Sequence, residues 1–254
     1  YTTRPTNAVN GFRNVGDWNG DGIGDIGVSF SQESLDGGQA WIVSSSDAPG
    51  EYSNKDVASI EGSEDENQVR YGNTILSRPA DFDGDGQMDL AIGILNNDEA
   101  GGNAGAVHIH AGVADGFFTE EATLKMFPVR GGDQLGFHVE ACDFNGDGFM
   151  DLAANAQRYE ARDYMPNNAD VGAVFLYLGG PEGLNPAHLP PIPVLDLDDV
   201  GDLTFVPQMR VGEAMTTGDF DGDGQFIKSR EAYIEIEKKN YNIIVSNYSR
   251  IFSL

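Results

Sequence analysis

The chain has 254 residues, of which 40% are hydrophobic, so it is long enough to bury one sizeable core. Its formal net charge of −26 opposes nucleic acid and anionic membranes as partners. No apolar run approaches the roughly 20 residues that a membrane span requires, and the single cysteine, Cys142, excludes an internal disulfide. We expect Cys142 to be a small buried residue at a strand end.

A nine-residue acidic segment occurs four times in the chain. The pattern is Asp-x-Asp/Asn-Gly-Asp-Gly-x-x-Asp, and three full copies span 17–25, 81–89 and 143–151. Carboxylates this closely spaced repel one another unless a cation lies among them, and Ca²⁺ takes roughly six to eight oxygen ligands. A single copy could equally be a solvated turn, but four copies with the same offsets favour calcium-binding loops.

The expected ligands are the side chains at positions 1, 3, 5 and 9 of each loop and the backbone carbonyl at position 7. In the first three loops they are Asp17, Asn19, Asp21, Ile23 and Asp25; Asp81, Asp83, Asp85, Gln87 and Asp89; Asp143, Asn145, Asp147, Phe149 and Asp151. The fourth loop supplies Asp219, Asp221 and Asp223, but Ile227 stands at its ninth position. We therefore expect three Ca²⁺ sites and an incomplete fourth.

An EF-hand is the nearest alternative, since it also binds Ca²⁺ in an acidic loop. An EF-hand loop needs a Glu at position 12 and a helix on each side. Position 12 is Val28, Ile92, Ala154 and Arg230 in the four copies. The short apolar runs after the first three loops predict strands instead.

The loops recur at intervals of 64, 62 and 76 residues, a spacing typical of propellers or arrays. The pattern predicts the same four segments in each unit. A Gly-containing segment precedes the loop, a strand follows it, a third strand opens on Gly, and a fourth strand comes last. The segments before the loops lie near Gly11, Gly72, Gly136 and Gly212; the strands after them at 26–30, 90–95 and 152–154; the third strands at 38–43, 105–112 and 172–179; the fourth at 57–60, 123–129 and 192–197. We therefore predict an all-β fold, a β-propeller of four-stranded antiparallel blades. It would close with about four blades or form an arc of a larger propeller.

These features resemble the FG-GAP repeat of integrin α-chain β-propellers and their bacterial relatives, over roughly residues 10–225. The resemblance implies a calcium-stabilised module that binds a protein or a glycan, as in cell adhesion, and that does not insert into a membrane. Millimolar calcium outside cells would fill such loops, so we expect an extracellular, cell-surface or periplasmic location. Similar repeats occur in fungal propeller lectins and in secreted polysaccharide-active or phospholipase proteins. The alternative is therefore a scaffold or accessory domain of a secreted carbohydrate- or lipid-active enzyme.

The last 29 residues differ in composition from the repeats. Residues 226–254 contain no Gly, Pro or Asp, whereas residues 1–225 hold all four acidic segments. Two alternating runs within 233–245 predict a hairpin. This tail either completes the last blade or is an unrelated sequence joined near residue 225. Because the chain does not begin with Met, we expect it to be a mature or excised segment.

Evidence for catalysis is weak, since no nucleophile elbow, P-loop or zinc motif is present. His108 and His110 fall on one face of a predicted strand and could share a metal, although packing is the alternative. We expect His138 to pack near the third loop. The aromatic pairs Phe117–Phe118 and Tyr159–Tyr164 fall in loop-like stretches, where they would either pack locally or stack on a ligand.

Overall fold

The computed structural model describes residues 7–18, 21–32, 39–45, 52–61, 77, 79–113, 117–128, 130–144, 146–160, 170, 172–187, 234–238 and 241–245. All regular secondary structure in these ranges is β-strand. Within them, no helix has the length and apolar character needed to cross a membrane.

The first sheet contains four antiparallel strands in sequential order. They are β1 (Asn7–Gly16), β2 (Asp25–Gln32), β3 (Gln39–Ser45) and β4 (Tyr52–Glu61). The predicted segments of the first unit fall within these four strands, except for Gly38, which lies outside the described residues. The first acidic loop joins β1 to β2, so its ends are held by paired strands.

The second sheet has the order β5-β6-β9 and is also antiparallel. Its strands are β5 (Leu90–Ile94), β6 (Ala106–His110) and β9 (Leu124–Met126), and β7 (Gly112–Val113) pairs with β8 (Phe117–Phe118) beside it. The expectation of a loop at Phe117–Phe118 was wrong. The ring of Phe118 stacks on that of Trp18, in the first acidic loop, with centroids 5.7 Å apart. Contact between the two aromatic faces stabilises this short ribbon.

The third sheet has the order β10-β11-β12, with β10 (Leu135–Cys142), β11 (Asp151–Ala156) and β12 (Ala173–Tyr177). Cys142 ends β10 and is buried, as predicted. The tail hairpin is confirmed by β13 (Ile234–Lys238) and β14 (Tyr241–Val245), which pair antiparallel. The predicted strand at 192–197 and the segments near Gly72 and Gly212 lie outside the described residues.

Two strands of the second sheet, β5 and β6, are buried on both faces. Leu90, Ile92 and Ile94 pack in a cluster that includes Ile42 of the first sheet. Residues of alternate orientation, such as Ala91, join a second cluster with the third sheet. A strand covered on both sides needs apolar residues at every position, which explains the unbroken run in β5. Antiparallel sheets stacked face to face in this way fit a β-propeller.

The second and third sheets approach so closely at one point that only glycine fits. A Cβ built on Gly93 of β5 would lie 1.7 Å from the carbonyl oxygen of Gly136 in β10. Gly136 itself has a φ of +91°, which L side chains rarely adopt. The glycine before the third loop thus serves packing between sheets.

His108 and His110 lie buried on one face of β6, with ring centroids 6.5 Å apart. Burial, with a smaller contribution from the charges of Lys125 and His110, lowers the pKa of His108 to about 3. Burial also lowers the pKa of His110, whose Nδ1 lies 2.9 Å from the Thr119 carbonyl oxygen. Both rings are therefore neutral in the folded protein at physiological pH.

We expect acid to destabilise the fold through this pair. The unfolded chain takes up protons at its ordinary histidine pKa near 6.5, but the folded chain does not, so stability falls as the pH drops below about 6.5. By about pH 5, His108 alone should account for a loss on the order of 2 kcal/mol. Urea unfolding of the wild type and of His108→Gln, above about pH 6.5 and at about pH 5, measures this loss. The same fall in unfolding free energy with pH in both proteins would contradict it.

Candidate metal centre

The second acidic loop brings three carboxylates together at the start of β5. One ligand oxygen from each of Asp81, Asp83 and Asp89 lies within 4.8 Å of the others. Asp83 is exposed and Asp89 is buried, so the cluster extends from the surface to the base of the sheet. In the part of the chain that the structure describes, this is the one group of three or more His, Cys or carboxylate ligand atoms within that distance of one another. Among the same residues, the pair His108 and His110 has no third such ligand close enough to share a metal.

In the three loops that the structure describes, the first Asp folds the loop around its own carboxylate. Asp81 Oδ1 accepts hydrogen bonds from the amides of Gly84 and Asp85 at 2.7 and 3.1 Å, and its Oδ2 accepts one from Gly86 at 3.0 Å. Gly84 and Gly86 have φ values of +78° and +88°, which other residues adopt only with strain. The turn is thus specified locally by the acidic side chain and the two glycines.

The first and third loops repeat this frame. Asp143 accepts the amides of Gly146, Asp147 and Gly148 at 2.7, 3.1 and 2.8 Å. Asp17 accepts those of Asp21 and Gly22 at 2.9 and 2.7 Å. At position 7, the amides of Ile23, Gln87 and Phe149 donate to the position-5 carboxylate at 2.8, 2.7 and 2.9 Å.

The ninth Asp closes the loop onto the sheet. Asp89 Oδ2 accepts the Phe82 amide at 2.8 Å, and its Oδ1 accepts the Gly112 amide at 2.8 Å. Asp151 is held in the same way by Phe144 at 2.8 Å and Gly179 at 2.7 Å. In the first loop, Asp25 Oδ2 accepts the Trp18 amide at 3.0 Å. The ninth carboxylate therefore ties the start of its loop to the sheet below.

Burial raises the pKa of Asp89 and of Asp151 to about 6. The two amide hydrogen bonds on each carboxylate oppose this rise, whereas the charges of the loop neighbours, Asp83 and Asp81 beside Asp89, add to it. The carboxylates thus repel one another across the loop. A divalent cation among them would relieve that repulsion, and hard carboxylate oxygens are the ligands that Ca²⁺ prefers.

Sequence reasoning missed the two glycines that bind the ninth Asp. Each lies two residues after its third strand, at Gly112 after β6 and Gly179 after β12. A Cβ at Gly112 would lie 2.5 Å from the Met88 carbonyl oxygen, and one at Gly179 would lie 2.3 Å from that of Met150. The recurrence of glycine at this offset in both units was the available signal.

Comparison with known families assigns these repeats. The FG-GAP-like repeat family matches residues 81–154, and the FG-GAP repeat family matches residues 135–177. The chain therefore contains FG-GAP-type repeats within residues 81–177. No curated protein matches it.

The FG-GAP matches cover the second and third acidic loops, whose frames are the most complete among the described residues. Of the predicted ligands, Asp17, Asp21, Ile23 and Asp25 lie in the first loop, all five of the second loop are described, and the third loop holds Asp143, Asp147, Phe149 and Asp151. The remaining predicted ligands, Asn19, Asn145, Asp219, Asp221 and Asp223, lie outside the described residues.

A cluster of ionisable residues links the first and third sheets. Arg13 Nη2 on β1 lies 2.9 and 3.1 Å from the two carboxylate oxygens of Glu140 on β10. His138 Nε2 lies 3.1 Å from Glu140 Oε1, so His138 packs on this pair rather than on the third loop as expected. No sequence motif marks this cluster, because Arg13 lies more than 120 positions from His138 and Glu140 and meets them only in the fold.

Proposed function

We propose that this protein is an extracellular calcium-stabilised β-propeller module that binds a protein or a glycan. The observation that carries the proposal is the repeated loop frame, in which Asp81, Asp83 and Asp89 converge within 4.8 Å. The second and third loops lead into β5 and β11, whose residues are all buried, so a bound ion would hold the edge of each of these sheets rigid. Rigid sheets position the remaining loops for recognition.

The calcium part of the proposal predicts unequal effects of single substitutions. Asp85→Ala or Asp147→Ala should each remove one ion and lower stability in millimolar Ca²⁺ by roughly 1 kcal/mol, given weak extracellular-type sites. Asp223→Ala should cost less, because the fourth loop has Ile227 in place of its ninth Asp. Calorimetric titration counts the ions, and urea unfolding measures the loss.

The control for these variants is the same unfolding experiment in excess EGTA. Without ions, Asp85→Ala and Asp147→Ala should differ from the wild type far less than they do in calcium. Equal losses from all three variants in calcium would contradict the ranking of the loops.

The binding part is tested by capture with the calcium-loaded protein. We expect retention of a glycan on an array or of a protein in a pull-down, weakened when EGTA removes the ions. Turnover of a polysaccharide or phospholipid that persists through purification, with no stable capture, would favour the enzyme-scaffold alternative. Capture that is unchanged in EGTA would show that recognition does not require ions in the acidic loops.

A further inference from the structure

A polar cleft lies at the end of the third sheet opposite its acidic loop. The loop joins the end of β10 to the start of β11, whereas the cleft lies where β10 begins and β11 ends. Its walls come from Arg130–Asp133, from Arg158 and Glu160, and from Asp170. Its volume of about 520 Å³ falls within the range of roughly 300–1,000 Å³ typical of small-ligand sites.

The charged groups of the cleft are positioned by contacts with one another and with Tyr159. Arg158 Nε lies 3.1 Å from Asp170 Oδ2, and Arg130 Nη1 donates to the Glu160 carbonyl oxygen at 3.3 Å. The Arg130 guanidinium lies 6.0 Å from the centroid of the Tyr159 ring. That ring packs edge-on against a buried phenylalanine of β12 with centroids 5.6 Å apart. Tyr159 therefore supports the floor of the cleft instead of standing free as a stacking platform.

The backbone of the cleft is open because two glycines form part of its wall. Gly131 is exposed, and a Cβ built on the neighbouring Gly101 would already lie 3.2 Å from its Cα. Gly132 has a φ of +87°, a conformation that excludes most side chains. Peptide groups as well as side chains are thus available to a ligand at this wall.

We propose that this cleft binds a neutral saccharide, an inference that rests on the proposed binding function. Its lining holds the two guanidiniums of Arg130 and Arg158 beside the three carboxylates of Asp133, Glu160 and Asp170. The excess of carboxylates disfavours an anionic ligand, and the guanidiniums disfavour a cationic one. The lining offers no exposed aromatic ring to an apolar ligand among the described residues.

Sugar hydroxyls match this lining because each one both donates and accepts hydrogen bonds. Adjacent hydroxyls on a sugar ring can bond a guanidinium and a neighbouring carboxylate at once, as the Arg158–Asp170 pair presents them. Hydrogen bonds to ionised groups are the stronger ones, so this pair should contribute a large share of the affinity.

The test uses the calcium-loaded full chain on an array of neutral hexose and N-acetylhexosamine oligosaccharides, with uronate oligosaccharides for comparison. Calorimetry then measures the bound oligosaccharide against wild type, Arg158→Gln and Asp170→Asn. The Arg158 side chain is 48% exposed, so neither change should impair folding. Lys125→Gln is the matched control, because it removes a cation from a similarly exposed ion pair outside the cleft.

We expect capture of neutral oligosaccharides, with affinity reduced at least about tenfold in Arg158→Gln and in Asp170→Asn and unchanged in Lys125→Gln. Equal affinity in all variants would place the ligand elsewhere and overturn the proposal for the cleft. Capture of uronates alone, or of a protein alone, would overturn the ligand class but leave the binding module intact. Capture of neither glycan nor protein would overturn both.

Discussion

Replacing Gly93 by alanine should destabilise the protein by at least about 3 kcal/mol or prevent folding. The new Cβ would lie 1.7 Å from the carbonyl oxygen of Gly136 and 2.9 Å from its Cα. These are backbone atoms of a paired strand, so no side chain can rotate away to make room. The second and third sheets would have to separate, which would expose the cluster that includes Ala91 and Val139. Urea unfolding followed by fluorescence measures the loss.

Gly102→Ala is the matched control for Gly93→Ala. Gly102 is exposed, and a Cβ built on it meets nothing within 4 Å. The same change of residue type should therefore alter stability there by less than about 1 kcal/mol. A Gly93→Ala variant as stable as the control would show that the two sheets are not in direct backbone contact.

Replacing Arg13 by methionine should cost about 3–5 kcal/mol. The side chains of Arg13 and Glu140 are 14% and 2% exposed, so water cannot take over the role of the lost guanidinium. Glu140 would lose the guanidinium and keep the contact of its Oε1 with His138 Nε2 at 3.1 Å. Leaving a buried carboxylate without its cation is more destabilising than replacing both partners with apolar residues.

Two further variants separate this explanation from simple loss of packing. Lys125→Met removes an exposed partner of Glu99, with side chains 43% and 22% exposed, and should cost at most about 1 kcal/mol. The double variant Arg13→Met/Glu140→Leu should recover most of the stability lost by Arg13→Met, because no buried charge is left behind. If the double variant is less stable than Arg13→Met, the unpaired carboxylate of Glu140 is not the main cause of the stability loss.

The sequence was a good guide wherever a feature was local. The acidic loops, the strands that follow them and the end of β10 at Cys142 could all be predicted, because their residues are close in the chain and repeat at fixed offsets. The short apolar run after the second loop predicted a strand, and the structure confirms it as Leu90–Ile94. The short ribbon at Phe117–Phe118 was missed, since Phe118 stacks on Trp18 of the first acidic loop, which is distant in the chain.

Features that depend on distant residues could not be predicted. The ninth Asp was expected only as an ion ligand, but Asp89 also accepts the Gly112 amide from across the sheet. Arg13 and Glu140 meet only after the first and third sheets have packed, and no periodicity marks either residue. The cleft is likewise formed by two connections that the fold brings together.

The most direct test of the calcium account is thermal unfolding in excess EGTA against millimolar Ca²⁺, with Mg²⁺ as the control. An ion that binds only the folded state raises stability by mass action. We expect a large rise in Tm with Ca²⁺ and little change with Mg²⁺, which prefers stricter octahedral geometry and keeps its waters. An identical Tm in all three conditions would mean that the acidic loops are turns held by their own hydrogen bonds. It would contradict the calcium-stabilised propeller.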